Sequence, residues 1–276
     1  MSHTQNISDT LTLWKSHWET AKREWNPFVR LQEPIWCTSN HMAIAEGLTG
    51  SFAMIRLTDH RIVINIEEIV TSGISDYALE ILAHEIGHHI FTPANLYDNA
   101  VLLGRIRWGL PGIEDRAPMV SNLYTDFLIN DKLQRINKLR MMQVYQTINS
   151  KDDFTELWTL IMRTYEYLWH LKRGTLASNL SLHSPKIDAD ASLIAGLVRS
   201  YSKNWLYGGG RFAVMLFPYL MEDAVYENAR KKIVVLLDAE QAGMGGDTVS
   251  GMTEIDTEGS AGVIDLRKET LEGKES

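Results

Sequence analysis

Two histidines four residues apart with a glutamate after the first, His84-Glu85-Ile86-Gly87-His88, are the residues of this chain best placed to do chemistry. On a helix that spacing puts both imidazoles on one side, a turn apart, where two ring nitrogens can share an ion. Glu85 lies about 100° further round the helix, able to reach a metal-bound water without ligating the ion, which is a general base's position. A zinc ion would lower the pKa of that water toward about 7, and Glu85 would take the proton as hydroxide attacks a carbonyl polarised by the same ion. Gly87 costs a helix about 1 kcal/mol relative to alanine, so backbone or substrate is expected to approach closely there.

Catalytic zinc takes three protein ligands and keeps one position open. The best source of the third is Asn122-Leu-Tyr-Thr-Asp126-Phe-Leu-Ile-Asn130, where Asn122, Asp126 and Asn130 make a polar stripe at i,i+4 spacing through a helix whose other face carries Leu123 and Phe127. With Asp126 as ligand, Asn122 or Asn130 could hydrogen-bond a ligating histidine or the carboxylate, fixing its orientation. Glu114 and Asp115 are rival donors in a Gly/Pro-flanked loop, and Asp126 is preferred because a loop acid beside Arg116 is more often a solvated ion pair. His89 is expected beside the site or at the surface, and His41, His60, His170 and His183 lack a partner at metal-binding spacing. Tyr97, Tyr124 or Arg105 could steady an oxyanion, and the sequence does not choose among them.

The elements that must carry these residues are mostly helical. Asp76 to Phe91 reads as a helix with Ser75 as N-cap and Pro93 as its stop, its Leu79, Leu82, Ile86 and Ile90 toward the core and its histidines toward a cleft. A second helix is expected from about Met119 to Ile136, and others over Asp153–Leu171, Ala189–Trp205 and Phe212–Glu227. Leu11, Trp14, Trp18, Ala21 and Trp25 predict an amphipathic first helix with tryptophans in the core. Ser51–Leu57 and Arg61–Ile66 read as a hairpin or adjacent strands, either of which could be an edge for an extended peptide. Gly208-Gly209-Gly210-Arg211 is no phosphate loop and reads as a flexible start to the last helix.

Composition narrows the function classes. From Asp238 onward ten acidic and three basic residues account for nearly all of the net charge of −8, so the body is close to neutral and nucleic acid is not an expected partner. Residues 241–276, rich in Gly, Ser, Thr and acid, are expected to be a flexible tail or linker after a domain spanning 1–240. No apolar run is long enough to span a membrane, a lone Cys37 makes no internal disulfide, and the N-terminus lacks signal-peptide character, so a cytoplasmic location is expected.

His84-Glu85-x-x-His88 followed by Asn122-x-x-x-Asp126-x-x-x-Asn130 resembles the zincin metallopeptidases whose third ligand sits on a second helix. More narrowly, HEIGHHIF with NLYTDFLINDKL resembles bacterial metallopeptidase domains found with von Willebrand factor A domains and MoxR-type AAA+ ATPases, over roughly residues 76–136. The resemblance implies an α+β, predominantly helical fold: a zincin-like core with a small sheet and an active-site helix, then a helical C-terminal part. It implies zinc held by His84, His88 and Asp126, with Glu85 as base. Asp126 stands where many zincins have glutamate, one methylene longer, so the second helix should approach more closely.

The expected function is thus a zinc-dependent metallopeptidase acting on protein or peptide substrates. A partner-binding regulatory module of an ATPase/von Willebrand-type system, with a structural or vestigial metal, is the alternative. A small-molecule amide or ester hydrolase is a third possibility.

Overall fold

The computed structural model describes residues 3–49, 51–56, 59, 61–149, 155–176 and 184–223. The tail expected over 241–276, with His60 and His183, lies outside the described residues.

Ten helices and a small sheet make up the described chain, an α+β and predominantly helical fold. The first helix, α1 (His3–Arg23), is longer than Leu11–Trp25 but places its tryptophans as expected, with Trp14 and Trp18 buried. The sheet has the order β1-β3-β2. Strands β2 (Ala53–Arg56) and β3 (Arg61–Asn65) pair antiparallel, Ile55 opposite Ile62, as the hairpin reading expected. A third strand, β1 (Ile35–Cys37), was not expected: it is only three residues long and pairs parallel to β3. Alternation sorts the sheet's two faces: Ala53, Ile55, Ile62 and Ile64 join the main core, while Met54 and Val63 join Cys37, Ala43 and Leu48 in a smaller cluster. Between the strands lies α2 (Asn40–Ala45), and Asn65 ends β3 by capping α3 (Ile66–Thr71) through Glu68 N–H.

The motif helix α4 spans Ala78–Ile90. Ser75 does not cap it: Ser75 lies in a preceding 3₁₀ turn and its carbonyl accepts from Trp14 Nε1, tying the start of α4 to α1. The amphipathic reading of α4 needs correction, because every residue from Glu80 to His88 is buried. Helix α1 and the segment after it cover one flank, with Trp25 Nε1 donating to the Ala83 carbonyl at 2.7 Å, while β2 and a second long helix cover others. The histidines therefore point into a packed interior rather than an open cleft.

That second helix is α6 (Ala117–Arg135), close to the expected bounds, with Pro118 in its first turn. Helix α5 (Leu96–Trp108), not foreseen, starts at an Asn95 cap after the Pro93 loop and buries only Leu102 and Ile106 fully. The remainder are α7 (Met141–Ile148), α8 (Glu156–Leu168), α9 (Pro185–Ser200) and α10 (Gly209–Asp223). The glycine run that opens α10 is a packing device: a Cβ on Gly210 would lie 2.8 Å from the Arg105 carbonyl oxygen, so its small size lets α10 lie against α5.

Gly87 has a similar explanation. A Cβ there would fall 2.6 Å from Trp25 and 2.7 Å from a methyl of Ile129 on α6. The close approach expected at Gly87 is therefore made by those side chains, and it draws the aspartate-bearing helix toward α4. Gly87→Ala is expected to lower stability by about 1–3 kcal/mol through overpacking, read from urea denaturation.

Candidate metal centre

His84 and His88 from α4 and Asp126 from α6 offer ligand atoms that all lie within 4.8 Å of one another, and all three residues are buried. The two Nε2 atoms are 3.2 Å apart, and Asp126 Oδ1 is 3.2 Å from His88 Nε2 and 3.6 Å from His84 Nε2. Helical periodicity delivers both imidazoles to one side, and α6, held close at Gly87, brings the carboxylate to them.

Hydrogen bonds behind each ring decide which atoms face inward. His88 Nδ1 lies 3.1 Å from the Thr92 carbonyl, an acceptor only, so Nδ1 carries the proton and Nε2 presents a lone pair. The turn that places this carbonyl is closed by Thr92 N–H donating to the Gly87 carbonyl and Ala94 N–H to that of His88. His84 Nδ1 lies 2.7 Å from Asn130 Oδ1. The Asn130 amide is oriented from the far side, its Nδ2 donating to the hydroxyls of Tyr145 on α7 and Tyr165 on α8 at 2.8 and 3.0 Å. With both amide protons so used, its oxygen is left to accept from His84, whose Nε2 then also presents a lone pair. Asn122 Nδ2 donates to Asp126 Oδ2 at 3.3 Å.

Three electron-pair donors thus converge in a desolvated space. Burial pushes both imidazoles down to about 4, with Asp126 opposing the shift at His84 and the Thr92 carbonyl opposing it at His88, so the rings are neutral and their approaches to Asp126 are not ion pairs. Burial lifts Asp126 to about 7, against the weaker pull of His84. Asp126 Oδ1 is buried with no hydrogen-bond partner. A cation among these atoms would satisfy that oxygen, remove the lone-pair repulsion and offset the cost of the buried carboxylate. This cluster could hold a metal ion.

Glu85 is fully buried beside His84, and of these four residues His84 is the most exposed, at 9%. The rival donors stay outside: Glu114 is exposed and accepts from Gly112 N–H, while Asp115 pairs with Arg116 at the surface. His41 and His170 are exposed and His89 is half-buried.

Set against models of known protein families, curated proteins and solved structures, the chain matches none. The donor set therefore stands on its own chemistry. Two imidazoles and one carboxylate suit a first-row transition ion over magnesium or calcium, which prefer oxygen throughout.

The residues suggested for an oxyanion are engaged or placed elsewhere. Tyr124 Oη donates to the Trp205 carbonyl, the Arg105 guanidinium lies over the Tyr207 ring, and Tyr97 is exposed. Tyr145 and Tyr165, which hold Asn130, were not expected at the site. Their hydroxyls are 2.9 Å apart and their rings belong to an aromatic cluster with Trp169 and Phe127, so in sequence they look like core aromatics. Removing the Asn130 bond by Asn130→Ala is expected to weaken metal binding about 10–100-fold, measured by competition with a chromogenic chelator.

Proposed function

We propose that this chain is a zinc-dependent hydrolase of peptide bonds, with zinc held by His84, His88 and Asp126 and with Glu85 as the proton carrier. The observation that carries the reading is the convergence of the three donors with both Nε2 lone pairs turned inward by the bonds to Thr92 and Asn130. Three protein donors of this kind are the number found in catalytic zinc sites, which leave a fourth position open.

When bound, zinc supplies Lewis acidity: it polarises a carbonyl and acidifies water. The chain's own residues do the rest. Glu85, one residue after His84 in the chain, takes a proton from the attacking water and returns it to the departing nitrogen. Asn130 and Thr92 hold the rings so that their ring protons point away from the reacting atoms, and Asn122 holds the carboxylate. Burial strengthens each of these interactions by excluding competing water.

The burial also favours a second reading. With Glu85 fully enclosed, an ion here could be structural, in a module that docks a partner such as an ATPase or a von Willebrand-type domain. The same donor set also serves iron(II). One series of measurements separates these readings: metal content of the purified chain, then cleavage of a denatured protein before chelation, after it, and after addition of zinc or iron(II). The hydrolase reading expects one zinc per chain, activity lost on chelation and activity restored by zinc. Cleavage that persists without metal sinks it. A tightly held ion with no cleavage, whose removal only lowers Tm, favours the structural reading.

A further inference from the structure

A cavity of about 550 Å³ opens between α5 and the start of α10, lined by residues that include Gly104, Arg105, Trp108, Tyr207, Arg211 and Val214 and that share no member with the metal centre. Its volume is in the range of small-molecule sites. Two guanidinium groups line it and no acidic side chain does. Arg105 is half-buried, its Cζ lies 4.2 Å from the centre of the Tyr207 ring, and its Nη1 is buried with no hydrogen-bond partner. Among the described residues no carboxylate pairs with it. A partly desolvated cation is usually compensated by an anion, and a guanidinium stacked on a ring still presents its edge donors in a fork that matches two oxygens of a carboxylate or phosphate. Arg211 is exposed and hydrogen-bonds Tyr201 Oη, leaving its other guanidinium nitrogens for a second contact.

The walls add to this. Trp108 is 92% exposed and Tyr207 is 65% exposed, two large rings at a cavity that already carries the charge. Gly104 sits inside α5, where glycine weakens a helix, yet nothing lies within 4 Å of where its Cβ would be. Unlike Gly87 or Gly210 it has no neighbour to make room for. It is one of the cavity's lining residues, and the space beside its Cα is open.

We propose that this cavity binds a small organic anion, a carboxylate or phosphate carried on a planar or aromatic group, with Arg105 as the principal anion contact, Arg211 as the second, and the indole and phenol rings against the planar part.

Benzoate, phenyl phosphate and neutral benzamide, titrated into the full chain by calorimetry, test it. At least one anion is expected to bind about tenfold or more tightly than benzamide, and the tighter of the two identifies the charged group. Arg105→Gln should remove about tenfold or more of that affinity. Gly104→Leu, which adds bulk to the lining at a position where a Cβ would meet nothing within 4 Å, should abolish binding while the helix signal is kept. The proposal is overturned if benzamide binds as well as the anions, if no anion binds by concentrations on the order of 10 mM, or if the folded Gly104→Leu chain binds them unchanged. None of these outcomes touches the metal centre, so its function is judged separately.

Discussion

Replacing Glu85 by glutamine is expected to slow cleavage of a denatured protein by about 10²–10⁴-fold, the usual worth of a positioned general base, while the chain still holds one zinc. The substitution keeps the side chain's length and one carbonyl oxygen and removes only the ability to accept and return a proton. Because Glu85 does not belong to the donor cluster, metal content should not change. Loss of turnover with metal and fold retained separates a catalytic role from a structural one. If the Glu85→Gln chain cleaves as fast as the parent, the glutamate carries no proton in the reaction.

That experiment also bears on closure. If Glu85 is the base proposed above, its full burial means that the centre acts on a peptide only after it opens. Opening costs free energy, so a hydrolase of this design should cleave more slowly in conditions that stabilise the folded chain, such as added osmolyte, even with zinc saturating.

The parts legible in sequence were those that depend on one element. His84 and His88 share a side of a helix because of helical periodicity alone, and Asp126 and Asn130 stood out because polar groups at regular spacing interrupt an otherwise apolar helix. What surrounds α4 was not legible. Its own pattern of Leu79, Leu82, Ile86 and Ile90 implies one buried face, and the second is buried only because Trp25 lies across it and Ile129 closes on Gly87. Tyr145 and Tyr165 stand 15 and 35 residues beyond Asn130, on separate helices, and a tyrosine in an apolar stripe looks the same whether its hydroxyl meets water or an asparagine. Helix α5 escaped notice because its exposed Arg107 and Trp108 and its half-buried Arg105 blur the periodicity that Leu102 and Ile106 would otherwise show. Short β1 is defined by its neighbour β3, not by its own three residues.

Asp126→Asn is expected to stabilise the metal-free chain at pH 8 while removing its response to zinc, two effects of opposite sign from one atom. In the metal-free protein burial lifts the Asp126 carboxyl from 3.8 to about 7, which costs the folded chain about 4 kcal/mol once the group is ionised. Its folded value lies above its unfolded value, so its contribution is most favourable below about pH 4 and fades as pH rises to about 7. The two histidines run the other way. Their folded values of about 4 lie below the ordinary 6.5, so the stability they support is full above 6.5 and is lost as pH falls to about 4. Two imidazoles outweigh one carboxyl on the acid side, and the carboxyl acts alone between 6.5 and 7. The chelated parent should therefore be most stable, as far as these groups decide it, near pH 6.5. In the Asp126→Asn chain the alkaline loss disappears and only the acid loss remains, and the amide can donate to an Nε2 that the carboxylate could only repel. Urea unfolding of both chelated chains at pH 5, 6.5 and 8 reads this directly, and a zinc titration of Tm at pH 8 reads the other half: a large rise for the parent and none for the variant. If the chelated variant proves less stable than the chelated parent at pH 8, or if zinc raises Tm equally in both, then Asp126 is not a carboxylate held in place for a cation.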